Sequence, residues 1–306
     1  MSSRREFLQT VAAASALLAV PAFAKDTKMT IQTRPIPKST DASEQLPVVG
    51  LGTWQTFDVG AAKADRAPIA DVLDKFLASG ARVIDSSPMY GHAEGVTGDL
   101  VAASGTGKRT FLTTKVWTRG EQAGIAQMNR SMELMRTDRL DLMQVHNLLD
   151  WRVHLKTMRR MKEAGRIRHI GVTHYTSSAY AELEAVLRAE PLDFVQLNYS
   201  VIDRAAEQRL LPLALERRVA VLANLPLASG SALRAVASRP LPAVAGELAC
   251  TSWAQLLLKF VVSHPAVTCA IPGTSRPEHM ADNAAAGTGP LADDAQRERI
   301  ARAYAA

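Results

Sequence analysis

Apolar and polar positions recur along the chain with two periods. Near-continuous apolar runs occur at residues 48–54, 81–87, 110–117, 140–146, 168–175, 193–200, 219–226 and 267–273. Between them the spacing turns helical. Ile69, Val72, Leu73, Phe76 and Leu77 lie at i, i+3, i+4, i+7 and i+8, and Trp253, Leu256, Leu257, Phe260 and Val261 repeat that series. Gly80 and Gly165 follow periodic runs, where a helix stop belongs. Strands this apolar are buried on both faces, as in a parallel sheet covered by helices. Eight of them, each followed by a helix, predict an α/β fold, a (β/α)8 TIM barrel. An open doubly wound sheet is the competitor, but it calls for Gly-x-Gly-x-x-Gly after the first strand, and Gly50-Leu51-Gly52-Thr53-Trp54 has only two of the three glycines. Ahead of the barrel, residues 29–34 and 46–49 flank a polar stretch and predict an N-terminal β-hairpin. Residues 229–250, with Pro240 and Pro242, form the longest irregular connection.

The N-terminus follows another pattern. Arg4 and Arg5 precede a mild apolar run from Val11 to Val20, and Ala22-Phe23-Ala24 supplies the small residues of a cleavage site. This resembles a twin-arginine export signal. The expected organisation is a signal over residues 1–24, read by the export machinery, and one barrel domain over 25–306 in the periplasm. The apolar run is too short for a membrane span, and nothing later reaches the roughly 18 uninterrupted apolar residues that a span requires. In the 306-residue chain the formal charge of +6 comes from lysines and arginines scattered among carboxylates. That fits a solvated surface and one anionic ligand, not nucleic acid. Cys250 and Cys269 are the two cysteines. They leave one disulfide open in an oxidising compartment without making a framework.

The chemistry gathers around residues 83–95. Val83 and Ile84 deliver Asp85 at a strand end, and Tyr90 follows in a turn marked by proline and glycine. In a barrel the C-terminal strand ends share one cleft, which would also collect Lys115, His146 and His174. A phenol titrates near pH 10, roughly three units too high for easy proton delivery, and a neighbouring ammonium lowers it. Lys115 is placed to do that, with Asp85 as its counter-charge. His146 can donate to a substrate oxygen and orient it. The set suits proton delivery to an oxygen that is gaining negative charge, as when hydride adds to a carbonyl. The other histidines, His92, His154, His169, His264 and His279, share no His-x-His or His-Glu-x-x-His spacing, so no metal is expected.

From VVGLGTW through IDSSPMYG, TTKVW, DLMQVHN and IGVTHY to IPGTSRPEHMADN, the chain after residue 24 resembles an aldo/keto reductase. The resemblance implies that Asp85, Tyr90, Lys115 and His146 are the catalytic tetrad, with Tyr90 the general acid and a nicotinamide the hydride source. It implies cofactor contacts from Thr53, Asp85, Thr173, His174, Gln196, Asn224, Leu225 and Leu227. Thr173 keeps the hydroxyl of the family's carboxamide-binding pair, and His174 replaces its amide. Asn224 stands where many members stack an aromatic ring on the nicotinamide. Pro272, Gly273, Thr274, Ser275, Arg276 and Asn283 resemble the loop and helix start that hold the adenosine phosphate, implying NADP(H) in preference to NAD(H). Gly273 replaces a lysine common there. Trp54 and Trp117 match aromatic positions of the substrate pocket, and the end at Ala306 without a long loop implies an open one. The expected function is NADP(H)-dependent reduction of aldehydes or ketones. A nucleotide-binding sensor barrel with little turnover is the alternative, favoured by Asn224 and His174, and a metal hydrolase is the third reading.

Overall fold

The computed structural model describes residues 30–306, so the twin-arginine stretch and Met29 lie outside the described residues. The order is β1 (Thr33–Pro35), β2 (Gln45–Pro47), β3 (Leu51–Gly52), α1 (Lys63–Ala78), β4 (Val83–Asp85), α2 (Ala93–Ala103), β5 (Phe111–Val116), α3 (Glu121–Leu134), β6 (Leu140–His146), α4 (Trp151–Glu163), β7 (Ile167–His174), α5 (Tyr180–Ala189), β8 (Phe194–Asn198), α6 (Leu210–Glu216), β9 (Ala220–Asn224), α7 (Ser231–Ala235), α8 (Ala243–Glu247), α9 (Trp253–Val262), β10 (Val267–Ala270), α10 (Pro277–Ala285) and α11 (Asp294–Ala305). The stretch read as irregular, 229–250, thus holds two short helices. Gly80 and Gly165 take left-handed backbone just past α1 and α4, which a residue with a Cβ adopts only under strain.

Strands β3 to β10 pair in parallel in chain order. Bridges from Val49 to Ala270 and from Gly52 to Gly273 join the first strand to the last and close the (β/α)8 TIM barrel. The Gly50 N–H donates to the Ala270 carbonyl at 2.8 Å and the Gly52 N–H to the Pro272 carbonyl at 3.1 Å. A Cβ at Gly52 would lie 2.8 Å from the Ile271 carbonyl oxygen, so glycine is what lets this seam close. The two glycines weighed against a dinucleotide fingerprint serve the barrel's closure.

Inward positions alternate along each strand and change character with height. Near the strand starts, Val83, Phe111, Leu142, Phe194, Leu222 and Cys269 form an apolar cluster with Ile36 and Leu46. Two residues further along the same strands the inward side chains are Asp85, Thr113, Gln144, Gln196 and Asn224. The floor is apolar apart from His169, which packs on Phe111 and Phe194, and the upper layer is polar apart from Ile271. The antiparallel pair β1–β2 caps the floor, with Thr33 opposite Pro47 and Pro35 opposite Gln45. Glu44 fastens this hairpin by pairing with Arg168 and by lying 3.2 Å from His169 Nε2. Outside the strands, Val72, Phe76, Met128, Leu155, Leu187, Leu257 and Phe260 belong to the larger core between strands and helices.

Cys250 and Cys269 are both buried and free, so the disulfide left open by the sequence is not formed. Cys269 belongs to the cluster inside the barrel and Cys250 to the core outside it. Among the described residues no helix is long and apolar enough to cross a membrane.

Candidate active site

The polar layer opens into a cleft of about 920 Å³ at the C-terminal ends of the strands. Lys115 is 1% exposed. Its ammonium donates to Asp85 Oδ2 and to the Ser86 carbonyl, both at 2.7 Å. A buried ammonium loses hydration worth several kcal/mol, on the order of what a close carboxylate returns. Here the carboxylate wins: Asp85, with Tyr90 beside it, holds the lysine above its ordinary pKa against desolvation. Asp85 is in turn saturated with donors: the Thr113 hydroxyl reaches Oδ1 at 3.3 Å, Gln196 Nε2 reaches Oδ2 at 3.1 Å and Gln144 Nε2 lies 3.5 Å from Oδ1.

Tyr90 sits above this pair, with the ammonium 5.1 Å from its ring centroid. The expected lowering of the phenol by Lys115 is present, but burial outweighs it, and Asp85 adds to the rise, so Tyr90 titrates above its ordinary value. The effect that the sequence reading omitted is desolvation of the phenolate.

His146 meets Tyr90 edge to face at a centroid distance of 6.3 Å. Its pKa is lowered to about 3, first by burial and then by the charge of Lys115, so the ring is neutral near pH 7. Ser87 Oγ lies 3.2 Å from Nδ1 and also accepts from the Met89 N–H at 3.4 Å. The tautomer in which the Ser87 hydroxyl donates to Nδ1 carries its hydrogen on Nε2. In that tautomer the neutral imidazole has one donor free for a substrate oxygen. The turn after β6 is strained: Asn147, Leu148 and Asp150 all take left-handed φ near +54 or +53.

Trp54 and Trp117 stand at the mouth, 47% and 40% exposed, together with Met89 and Tyr175. The Trp117 backbone is clamped from α3, since its N–H donates to Gln127 Oε1 at 2.6 Å and its carbonyl accepts from Gln127 Nε2 at 3.4 Å. His154 Nε2, on α4, lies 2.7 Å from the next carbonyl, Thr118.

Of the expected cofactor contacts, Thr53, Asp85, Thr173, Gln196, Asn224, Leu225, Leu227, Pro272, Gly273, Thr274 and Asn283 line the cleft. His174, Ser275 and Arg276 do not. The His174 ring stacks on Tyr175 and its Nδ1 accepts from the Thr176 N–H at 3.2 Å. Arg276 is 63% exposed along its side chain and is held by Glu278, two residues on, through Nε at 2.6 Å. The sequence reading missed Ser87, Thr113, Gln144 and Asn147. The signal for Gln144 was parity, because a buried amide two residues before His146 in LDLMQVH shares the histidine's face of the strand. Among the described residues no group of three metal-binding side chains is gathered.

This barrel with its cleft matches known proteins. The profile of the Aldo/keto reductase family covers residues 48–304, and the chain belongs to that family. More particularly, it is 32% identical over 264 residues to methylglyoxal reductase YeaE of Escherichia coli (strain K12), covering 83% of this chain and 89% of that one. The crystal structure of an aldo-keto reductase from Klebsiella pneumoniae in complex with NADPH superposes with a TM-score of 0.71 at 28% identity, covering 85% of this chain and 92% of that chain. A thermostable aldo-keto reductase, Tm1743, shares the fold with a TM-score of 0.73 at 22% identity, covering 89% of this chain and 99% of that chain.

Proposed function

We propose that the protein reduces small aldehydes or ketones with NADPH, and that Tyr90 delivers the proton. The observation that carries this reading is the meeting of a partly buried phenol, a buried ammonium–carboxylate pair and a neutral imidazole at one point of the cleft. The cleft's residues fit a dinucleotide. Asn224 Oδ1 and Asn147 Oδ1 are buried without a partner on its wall, and Gly52 and Gly273 leave backbone uncovered there. Thr173, Gln196 and Asn224 would hold the carboxamide end, Leu225 and Leu227 the middle, and Thr274, Asn283 and the start of α10 the adenosine end. A bound nicotinamide supplies the hydride.

The chain's own groups supply the rest. The Tyr90 phenol is protonated at neutral pH, as any phenol is, so the acid is present; burial raises its pKa, and the pull of Lys115 on the phenolate works against that rise. His146 Nε2–H orients the carbonyl oxygen, Tyr90 passes its proton to that oxygen, and Lys115 stabilises the phenolate left behind. General acid catalysis of this kind contributes roughly 10²–10⁴-fold. The name of the Escherichia coli relative supports a small reactive aldehyde such as methylglyoxal as substrate. The collar of Trp54, Met89, Trp117 and Tyr175 supports an apolar substituent on the carbonyl. Preference for NADPH over NADH rests on Arg276 and Thr274 at the helix start.

Residues 25–306, refolded free of nucleotide, should quench tryptophan fluorescence with NADPH at lower concentration than with NADH, and should consume NADPH with methylglyoxal or benzaldehyde. Binding without consumption across a broad panel of carbonyls would move the reading to a nucleotide sensor. The arginine pair and apolar run support periplasmic export of the folded chain. Cell fractionation should find the parent outside the inner membrane and an Arg4→Lys/Arg5→Lys variant inside; a parent retained in the cytoplasm removes this part of the proposal.

A further inference from the structure

Gln144 is fully buried in the barrel, one layer below the cleft, where an aliphatic side chain would be cheaper to bury. Its two amide hydrogens feed two converging lines. One goes to Gln196 Oε1 at 3.1 Å, and Gln196 Nε2 then donates to Asp85 Oδ2 at 3.1 Å. The other is shared between Thr113 Oγ1 at 3.3 Å and Asp85 Oδ1 at 3.5 Å, and the Thr113 hydroxyl then donates to Asp85 Oδ1 at 3.3 Å. The directions are forced. Flipping the Gln144 amide would set its oxygen against the Gln196 oxygen, and flipping Gln196 would set its oxygen against a carboxylate. Gln144 Oε1 is left without a partner, so the amide is not there for its own satisfaction.

We propose that Gln144 is a positioning residue for the proton-transfer site: it sets the polarity of both donor lines onto Asp85, keeps the shared proton on Lys115, and so keeps a full positive charge facing Tyr90. The proposal builds on Tyr90 as the proton donor, but its physical content is a charge distribution that can be read without turnover. Other titratable groups face the pair from every side: Tyr90 from the turn after β4, His146 from β6, Glu94 from α2 and Cys269 from β10. None of them donates a hydrogen bond to Asp85, so none replaces the lost lines.

In a Gln144→Leu variant, Asp85 loses the 3.5 Å contact and the Gln196 amide and Thr113 hydroxyl lose the partner that fixes their direction, so its charge is less dispersed and the Lys115 proton is drawn toward it. The ammonium's pull on the phenol weakens. Tyr90 should titrate about one unit higher than in the parent, the effect of one lost charge-assisted hydrogen bond. Fluorine NMR of fluorotyrosine-labelled protein reads this directly, because fluorination brings the phenol into an accessible range and Tyr90→Phe assigns the signal among five tyrosines. The same variant should lose about tenfold in kcat for carbonyl reduction with little change in KM. Thr113→Val cuts one line only and should move the Tyr90 midpoint by less, which keeps the test alive if Gln144→Leu does not fold. A Tyr90 midpoint unmoved in a folded Gln144→Leu or Thr113→Val protein overturns the proposal. A shifted midpoint in a protein whose carbonyl reduction does not depend on Tyr90 would uphold it and remove the mechanism instead.

Discussion

The two ends of the cleft are built differently. At the tetrad end the groups are buried and fastened to one another: Lys115 on Asp85 and the Ser86 carbonyl, Asp85 under Thr113 and Gln196, His146 on Ser87. At the α10 end the principal cation, Arg276, is exposed and rests on Glu278 of its own helix start. The first end is set before any ligand arrives; at the second, Arg276 would have to leave Glu278 to meet an anion. Preorganised charge is what a proton-transfer step needs, since it costs no rearrangement at the moment of reaction. Phosphate recognition would tolerate a partner exchange, because an exposed ion pair is held only weakly.

Breaking the buried end should cost most. Lys115→Met leaves the buried Asp85 carboxylate without its counter-charge, and urea unfolding should show a loss of about 3–5 kcal/mol. Adding Asp85→Asn should restore much of it, and no recovery would mean that the pair does not act as a unit. A smaller effect at the same end concerns pH. The folded pKa of His146, about 3, lies below its ordinary 6.5, so the folded state binds fewer protons than the unfolded one between those values. Stability from this group is complete above about pH 6.5 and is lost as pH falls toward 3. His146→Gln should flatten the stability profile in that window, and an unchanged slope would contradict a buried neutral imidazole. The exposed end gives the smallest changes. Arg276→Ala should weaken NADPH by about fivefold and leave NADH alone, whereas Glu278→Ala should tighten NADPH by removing the competitor. Equal effects on both nucleotides would remove Arg276 from phosphate recognition.

The same division explains what could be read from the sequence. The barrel was legible because strands buried on both faces lose their polar alternation, and the gathering of Asp85, Tyr90, Lys115 and His146 in one cleft because each sits at a strand end or in the turn after it. Gln144 was hidden by that same rule, since an amide in an apolar strand reads as tolerated polarity until its neighbours are known. The rise in the Tyr90 pKa was also out of reach, because desolvation depends on what covers the ring and not on which residues flank it. Arg276 and His174 illustrate the surface case. A motif assigns the position, but competition from Glu278 or from Thr176 decides where the side chain goes. The seam glycines, which offered only two of the three positions of a dinucleotide fingerprint, close the barrel instead.

If Tyr90 gives the proton, its loss should show when carbonyl reduction and NADPH affinity are measured side by side in the parent and in Tyr90→Phe. The expected result is a kcat lower by roughly 10²–10⁴-fold with NADPH binding kept. A Tyr90→Phe protein that binds NADPH and still reduces the carbonyl at the parent's rate would contradict it.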